Sequence, residues 1–387
     1  MMNLKQRAVN GLFWSFLSQG GKQAGQFIVV AVLVRLLDPA EFGLLAMAAV
    51  FTEFANVFVE MGVGSALIQK QDATSEHYNS AFWLNLILGI GMMAALVLVA
   101  PLIAMFYEQP KLKLILIVLA FNFVLTPFSV VQQALLMKEM EFRKLAVRDI
   151  AVVFVSGILG IVLAIRGWGV WALVVQAFAA TITDVLILWM FSSWRPRRAF
   201  SCSCLKEIFP FGANLTGFNI LNYFARNMDK LLIGRFLGPQ ALGFYSLAYR
   251  MVLFPLQNIS WSIGRVMFPA FSKIQQDIDK VRIVYLKMIG KIAFVTFPLM
   301  AVIFVCAPEI VTIFFGDRWT GIVILLRIFS FCGMVQSIGT TIGNILLSQG
   351  RADWQFRMQM VGTLIVFLSI AAGMRWGVTG VAAAYTI

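Results

Sequence analysis

The chain has 387 residues, of which 60% are hydrophobic and only 13% are charged, and its formal net charge at pH 7 is +13. Soluble globular proteins carry about 25% charged residues, so this composition excludes a water-soluble domain and predicts an integral membrane protein. In a membrane protein, excess positive charge is typical of cytoplasmic loops, which the positive-inside rule enriches in Lys and Arg. We therefore do not expect nucleic acid as a partner.

Apolar runs along the chain are long and uninterrupted, as in membrane-spanning helices rather than in the alternating strands of a barrel. A helix needs about 20 apolar residues to cross the hydrocarbon core of a bilayer. The runs predict an all-α, polytopic protein with twelve spans. The predicted spans are 11–34, 42–62, 81–106, 114–137, 147–165, 169–192, 207–236, 241–263, 286–306, 321–347, 358–374 and 376 onward.

The loop charges predict the orientation of these spans. Most loop Lys and Arg residues fall on the side that carries the N-terminus, among them the segment 195–198 and Arg148 at the start of the fifth span. Because cytoplasmic loops carry this excess, the N-terminus is predicted to be cytoplasmic.

An internal repeat divides the chain into two halves. Three short segments recur in the same order, each at a span boundary. They are 35–43 with 235–243, 142–143 with 356–357, and 168–170 with 376–378. Six predicted spans separate equivalent points, so the repeats are parallel, and transporters with such repeats bind substrate between their halves.

The repeat also predicts the domain boundaries. We expect an N-terminal six-helix half over 1–192, a cytoplasmic linker over 193–206 and a C-terminal half over 207–387. By comparison with the first half, the last span should end near residue 400, so the second half is expected to be incomplete in its last helix.

The first span of each half carries polar residues at helical spacing, on one face of the helix. These residues are Gln19, Lys22 and Gln26 in the first span and Asn219, Asn222, Arg226 and Lys230 in the seventh. A charge near the bilayer centre costs about 2.5–3.5 kcal/mol, so such residues normally face an aqueous cavity or a partner. We interpret the two stripes, with Arg250 and Arg327 from later spans, as a substrate-binding surface. The alternative is that they join helices, with an acid balancing the cations.

Four acidic residues lie within or next to predicted spans: Glu53, Glu60, Asp184 and Asp229. An acid in a transporter can bind a coupling proton or sodium ion, or it can balance a nearby cation such as Lys22. No organic cofactor is predicted, and no metal site is predicted either. His77 is the only histidine, and Cys202 and Cys204 have no second pair of ligands, which argues against structural zinc.

Two segments carry a family resemblance. The first is Asn227-Met-Asp229-Lys-Leu-Leu-Ile-Gly234-Arg-Phe-Leu-Gly238, followed by Gly243, Tyr245 and Ala248; the second is Arg35-Leu-Leu-Asp-Pro39 with Gly43 and Gly62-Val-Gly64-Ser-Ala-Leu-Ile-Gln69. Together they resemble the polysaccharide transporter family, the Wzx-type oligosaccharide flippases of the multidrug/oligosaccharidyl-lipid/polysaccharide superfamily.

This resemblance implies a fold and a function. The fold would be two six-helix bundles in a V, as in multidrug transporters of the superfamily, with helices 1 and 7 lining a central cavity. The substrate would be an undecaprenyl-pyrophosphate-linked oligosaccharide, flipped across the bacterial inner membrane by alternating access. Polysaccharide polymerases and glycosyltransferases are the implied partners, together with membrane lipids.

Three alternatives stay open. Two belong to the same superfamily: a drug/cation antiporter, for which a net acidic cavity would be expected, and a lipid II flippase. The third is a membrane polysaccharide polymerase or ligase. Such an enzyme would be expected to have a large outer loop with catalytic residues, whereas the predicted outer loops are short and contain no histidine. We therefore predict a transporter and not an enzyme.

Overall fold

The computed structural model describes the backbone of residues 4–60, 62–70, 72–349 and 351–386. Side chains in these ranges are described except at 4–13, 15–17, 60, 206–219, 221–222, 224–226, 257–266, 268–270, 272–273, 344, 347, 352 and 356.

Every regular element in the described part of the chain is helical. The first nine helices are α1 (Leu4–Leu36), α2 (Pro39–Glu60), α3 (Val63–Gln69), α4 (Ser75–Phe106), α5 (Pro110–Ala120), α6 (Asn122–Leu125), α7 (Pro127–Lys138), α8 (Phe142–Ile165) and α9 (Val170–Phe191). Proline begins α2, α5 and α7, where its missing N–H has no helical partner to lose. Proline also kinks a helix, and the stretches Pro110–Leu125 and Pro127–Lys138 are bent by 43° at Pro127.

The remaining helices are α10 (Cys202–Lys273), α11 (Ile278–Val305), α12 (Ala307–Phe314), α13 (Ile322–Ser348), α14 (Ala352–Gly373) and α15 (Gly377–Thr386), with short 3₁₀ turns at Asp317–Trp319 and Met374–Trp376. The long helix α10 is broken at Gly238, whose φ of 82° and ψ of 178° lie outside the helical region. Only glycine adopts this conformation without strain, and Pro239 directly after it begins a new helical segment. Helix α11 runs on through Pro298.

Seven helical stretches of the described residues are long and apolar enough to cross a membrane, or eight if the bent pair around Pro127 is one span. Within the described residues, each of the twelve predicted spans is mostly helical, the seventh and eighth being the parts of α10 on either side of Gly238. The prediction of an all-α, polytopic membrane protein is confirmed.

Contacts between Cα atoms divide the chain into two compact units, Met1–Asn227 and Met228–Ile387. The division falls within α10, later than the predicted linker at 193–206. The predicted boundaries 1–192 and 207–387 describe the repeat rather than the packing, and they stay a prediction.

Part of the predicted linker is bound to the start of α4. The backbone N–H of Arg197 donates to Asn79 Oδ1 at 2.9 Å, and that of Ser201 donates to Ser80 Oγ at 2.9 Å. The indole N–H of Trp83 donates to the Arg197 carbonyl at 2.9 Å. Three hydrogen bonds therefore hold residues 197–201 against the first turns of α4.

The repeat is visible in the backbone. Gly169 before α9 and Gly377 at the start of α15 both have positive φ, 56° and 67°, with ψ of −134° and −159°. Helix α2 begins at Pro39, and the Gly238 break precedes Pro239, at an offset of 200. The two halves thus break their helices at equivalent points.

Candidate functional site

In the first unit, α1 packs closely against α8 through small residues. A Cβ atom added at Gly25 would lie 2.9 Å from Val153 Cγ1, and one added at Gly21 would lie 3.5 Å from Ile150 Cδ1. Gly-xxx-Gly spacing lets membrane helices approach closely, because the glycine surface has no side chain to separate the backbones. This approach places the polar residues of α1 beside the first turns of α8.

One of these contacts is an ion pair. Lys22 Nζ lies 3.9 Å from Asp149 Oδ1, with side-chain exposures of 40% and 22%. The hydroxyl of Ser18, one turn earlier on α1, donates to Asp149 Oδ2 at 3.0 Å. The predicted cation Lys22 is therefore balanced by an acid that the sequence analysis did not single out.

Arg148 links this pair to two further helices. Its guanidinium lies 2.9 Å from Asp149 Oδ1 and 3.0 Å from Asp184 Oδ1 on α9, and its side chain is only 11% exposed. It also donates to Gln133 Oε1 on α7 at 3.1 Å. We call Ser18, Lys22, Gln133, Arg148, Asp149 and Asp184 the first-unit network; it holds two cations and two acids and has no net charge.

One expectation is corrected here. Arg148 was expected to be a loop charge, but it lies in the second turn of α8 and is almost buried. Asp184, expected to bind a coupling ion or to balance a cation, forms an ion pair with Arg148 rather than with Lys22.

The second unit contains a different buried polar group. Asp229, with 4% exposure, accepts a hydrogen bond from the Tyr245 hydroxyl at 2.9 Å and one from the Lys230 backbone N–H at 2.8 Å. The Tyr245 ring stacks on Tyr249, with centroids 6.1 Å apart. The hydroxyls of Tyr249 and Tyr385 lie 2.8 Å apart. The Asp229–Tyr245 bond joins the two sides of the Gly238 break.

Two arginines in the second unit have no acidic partner among the described residues. Arg250 is exposed, and Arg327 lies over the Phe304 ring at 5.8 Å from the centroid. The Nε atom of Arg327 is buried without a hydrogen-bond partner. The second unit thus carries cationic groups whose charge its described side chains do not neutralise.

The other predicted site residues are only partly described. Gln19 and Glu53 are exposed, while Gln26 and Lys230 are half-buried. The side chains of Glu60, Asn219, Asn222 and Arg226 lie outside the described residues. Among the residues that the structure does describe, no group of three or more His, Cys, Asp or Glu side chains is placed to hold a metal ion.

These observations identify the class of protein: a multi-pass helical membrane protein with charged residues inside its spans. Solved structures of the same fold include the lipid II flippase MurJ in an inward closed conformation, with a TM-score of 0.75 and 16% identity over 97% of this chain and 84% of that one. They also include a multidrug resistance MATE family transporter of the MOP superfamily in an inward-facing conformation, with a TM-score of 0.72 and 16% identity over 96% of this chain and 94% of that one. At this identity the likeness shows the fold alone.

The family follows from sequence. Residues 32–324 match the family described as polysaccharide biosynthesis proteins, and the chain belongs to it. The resemblance found in the sequence is confirmed.

Named relatives agree with this assignment. The teichuronic acid biosynthesis protein TuaB of Bacillus subtilis (strain 168) is 30% identical over 97% of this chain and 78% of its own length. The lipopolysaccharide biosynthesis protein WzxC of Escherichia coli (strain K12) is 28% identical over 96% of this chain and 76% of its own length. The succinoglycan biosynthesis transport protein ExoT of Rhizobium meliloti (strain 1021) is 28% identical over 79% of this chain and 62% of its own length.

Proposed function

We propose that this protein is a flippase that moves an undecaprenyl-pyrophosphate-linked oligosaccharide from the cytoplasmic to the periplasmic leaflet of a bacterial inner membrane, by alternating access. The family, the relatives named for polysaccharide biosynthesis and transport, and a fold shared with a lipid II flippase support this proposal. We further propose that its N-terminus is cytoplasmic and that it acts beside polysaccharide polymerases and glycosyltransferases.

The observation that carries the choice of substrate is the charge of the second unit. Arg250 and Arg327 have no acidic partner among the described residues. Cations inside membrane spans are costly and commonly mark the path of a substrate or an ion. A pyrophosphate matches them, because guanidinium groups bind phosphate oxygens through paired hydrogen bonds. We assign Arg250 and Arg327 to the pyrophosphate. The other substrate-binding residues proposed from the sequence are Lys22, Arg226, Lys230, Gln19, Gln26, Asn219 and Asn222.

The energy source is proposed to be membrane potential or a proton or sodium gradient. Asp229 is a candidate for a coupling acid, since it is buried and accepts hydrogen bonds from the Tyr245 hydroxyl and the Lys230 backbone N–H. Asp184 is better explained as charge balance for Arg148, with which it makes a 3.0 Å ion pair. Glu53 and Glu60 are further candidates for coupling.

The test is a leaflet-sidedness assay in proteoliposomes containing the full-length protein. Labelled undecaprenyl-pyrophosphate oligosaccharide is loaded, and its accessibility to an external enzyme is followed with and without an imposed ion gradient. We expect transfer by the wild type, at least tenfold slower transfer by Arg250→Ala, and unchanged transfer by Arg198→Ala, which removes an exposed arginine outside the spans.

Two outcomes would contradict the proposal. No transfer by folded wild-type protein under any gradient would reject this substrate, and efflux of a cationic dye in the same liposomes would then indicate a drug/cation antiporter. Transfer that is equally fast in wild type and in Arg250→Ala would keep the flippase but remove Arg250 from its binding site.

A further inference from the structure

In the first-unit network, the three side chains that contact Asp149 lie at different distances from its carboxylate. Ser18 and Arg148 bind this carboxylate at 3.0 Å and 2.9 Å, whereas Lys22 Nζ lies 3.9 Å away. Lys22 is also the more exposed cation, at 40% against 11% for Arg148. Half-exposed ion pairs contribute little stability, so the Lys22–Asp149 contact is the weakest link of the network.

Asp149 does not depend on Lys22. If Lys22 moved away, the carboxylate would keep the Ser18 hydroxyl and the Arg148 guanidinium, and it would not be left as an unpaired charge. Arg148 would in turn keep Asp184 at 3.0 Å. Leaving a buried charge without a partner is what makes breaking an ion pair costly, and here that cost is avoided.

We propose that Asp149 is a resident counter-anion for Lys22, and that the phosphate groups of the substrate take Lys22 away from it. This inference rests on the proposed function, because it requires an anionic headgroup. Asp149 is then a positioning residue: it neutralises Lys22 while the protein is empty and competes with the headgroup for the ammonium group. Arg148 makes the exchange possible, since it remains with Asp149 after Lys22 has left.

The competition has a direction that can be measured. Removing the charge of Asp149 frees Lys22 and should strengthen binding of the anion, whereas removing Lys22 should weaken it. A residue that only held α1 against α8 would do the opposite, because its loss would disturb the site and weaken binding.

The experiment measures binding of undecaprenyl pyrophosphate to the full-length protein in phosphatidylcholine nanodiscs, whose lipids carry no net charge. Asp149→Asn should lower the Kd about two- to fivefold, the range that loss of one half-exposed competing ion pair supports. Lys22→Gln should raise the Kd, and Asp149→Asn combined with Lys22→Gln should bind like Lys22→Gln alone.

Glu141→Gln is the matched control. Glu141, the residue before α8, pairs with Lys144 in its first turn at 3.7 Å, with exposures of 44% and 39%. Its removal therefore also frees a half-exposed lysine. Its Kd should not change. If Asp149→Asn fails to fold, the variant Arg148→Gln/Asp149→Asn/Asp184→Asn removes all three inner charges together and should again tighten binding only while Lys22 is present.

Each outcome of the binding experiment either supports or rejects the exchange of Lys22 between Asp149 and the headgroup. Tighter binding that disappears with Lys22 supports the exchange. Unchanged or weaker binding by Asp149→Asn, or tighter binding that persists without Lys22, rejects the exchange while leaving the flippase intact. Absence of any binding by the wild type rejects the proposed headgroup, and the exchange with it.

Discussion

In the first unit a buried arginine lies between two carboxylates, whereas in the second unit a buried carboxyl group lies against a tyrosine hydroxyl. The repeat offset of 200 pairs Asp229 with Val29 and Tyr245 with Leu45, so the first half has no counterpart of the second pair. Helix α14, the counterpart of α8, contains a single acid, Asp353 in its first turn. The two halves share the positions of their helix breaks but differ in the polar groups that they bury. We therefore expect the two halves to have different functional roles.

The largest effect should come from Arg148→Met, which leaves Asp184 without its cation and Asp149 with Lys22 alone. Removing one partner of a buried ion pair costs about 3–5 kcal/mol, because the remaining charge is uncompensated. We expect a loss of this size in the free energy of unfolding, measured by Trp fluorescence during SDS titration in mixed micelles. Arg148→Lys, which keeps the charge, should lose less; equal losses would show that charge is not the cause.

Gly25→Leu tests the helix contact that brings Lys22 to Asp149. The new side chain would meet Val153, already 2.9 Å from a Cβ at this position, and overpacking costs about 1–3 kcal/mol. The free energy of unfolding should fall by that amount in the same titration. Gly20→Leu is the control, since nothing lies within 4 Å of a Cβ there. Similar losses in both variants would mean that the α1–α8 contact is not close.

Tyr245→Phe tests the second unit. It removes the hydroxyl that donates to Asp229 and leaves a buried carboxylate oxygen without that bond, at a cost of about 1–2 kcal/mol. Asp229→Asn/Tyr245→Phe should cost less than the sum of the two single changes, because both act on one hydrogen bond. Additive losses in the unfolding titration would show that the bond contributes nothing.

Exchanging residues at the shared helix break should have the smallest effect. Gly238 has a φ of 82°, and Asp38 stands at the equivalent position in the first half without a positive φ. Gly238→Asp should cost about 1 kcal/mol, the lower end of the cost of holding a side chain in a backbone region that only glycine adopts freely. Asp38→Gly should cost less than Gly238→Asp does. The reverse order in unfolding free energies would show that the break at Gly238 does not require glycine.

The fold was largely predictable from the sequence because long apolar runs and glycine–proline breaks act locally. The spans coincide with helix, the kink at Pro127 is present, and the repeated glycines at 169 and 377 share one backbone conformation. The helical run from Cys202 to Lys273 has its break at Gly238, as the match of 235–243 with the α1–α2 junction predicts.

The site was less predictable because it depends on which helix faces touch. Lys22 was recognised as an intramembrane cation, but its partner Asp149 is 127 positions away and follows a run of basic residues that reads as a loop. The available signal was the adjacent pair Arg148–Asp149 one or two turns inside an apolar helix. The Asp229–Tyr245 bond had no signal in periodicity, since it closes across a helix break.

The first-unit network also bears on how the protein is made. Every member of it, from Ser18 to Asp184, precedes the division between the units at Asn227. During synthesis, all partners of Arg148 have therefore left the ribosome before the second unit is translated. The nascent chain can therefore neutralise Arg148 early, so that this arginine is not left unpaired while the second unit is still being made.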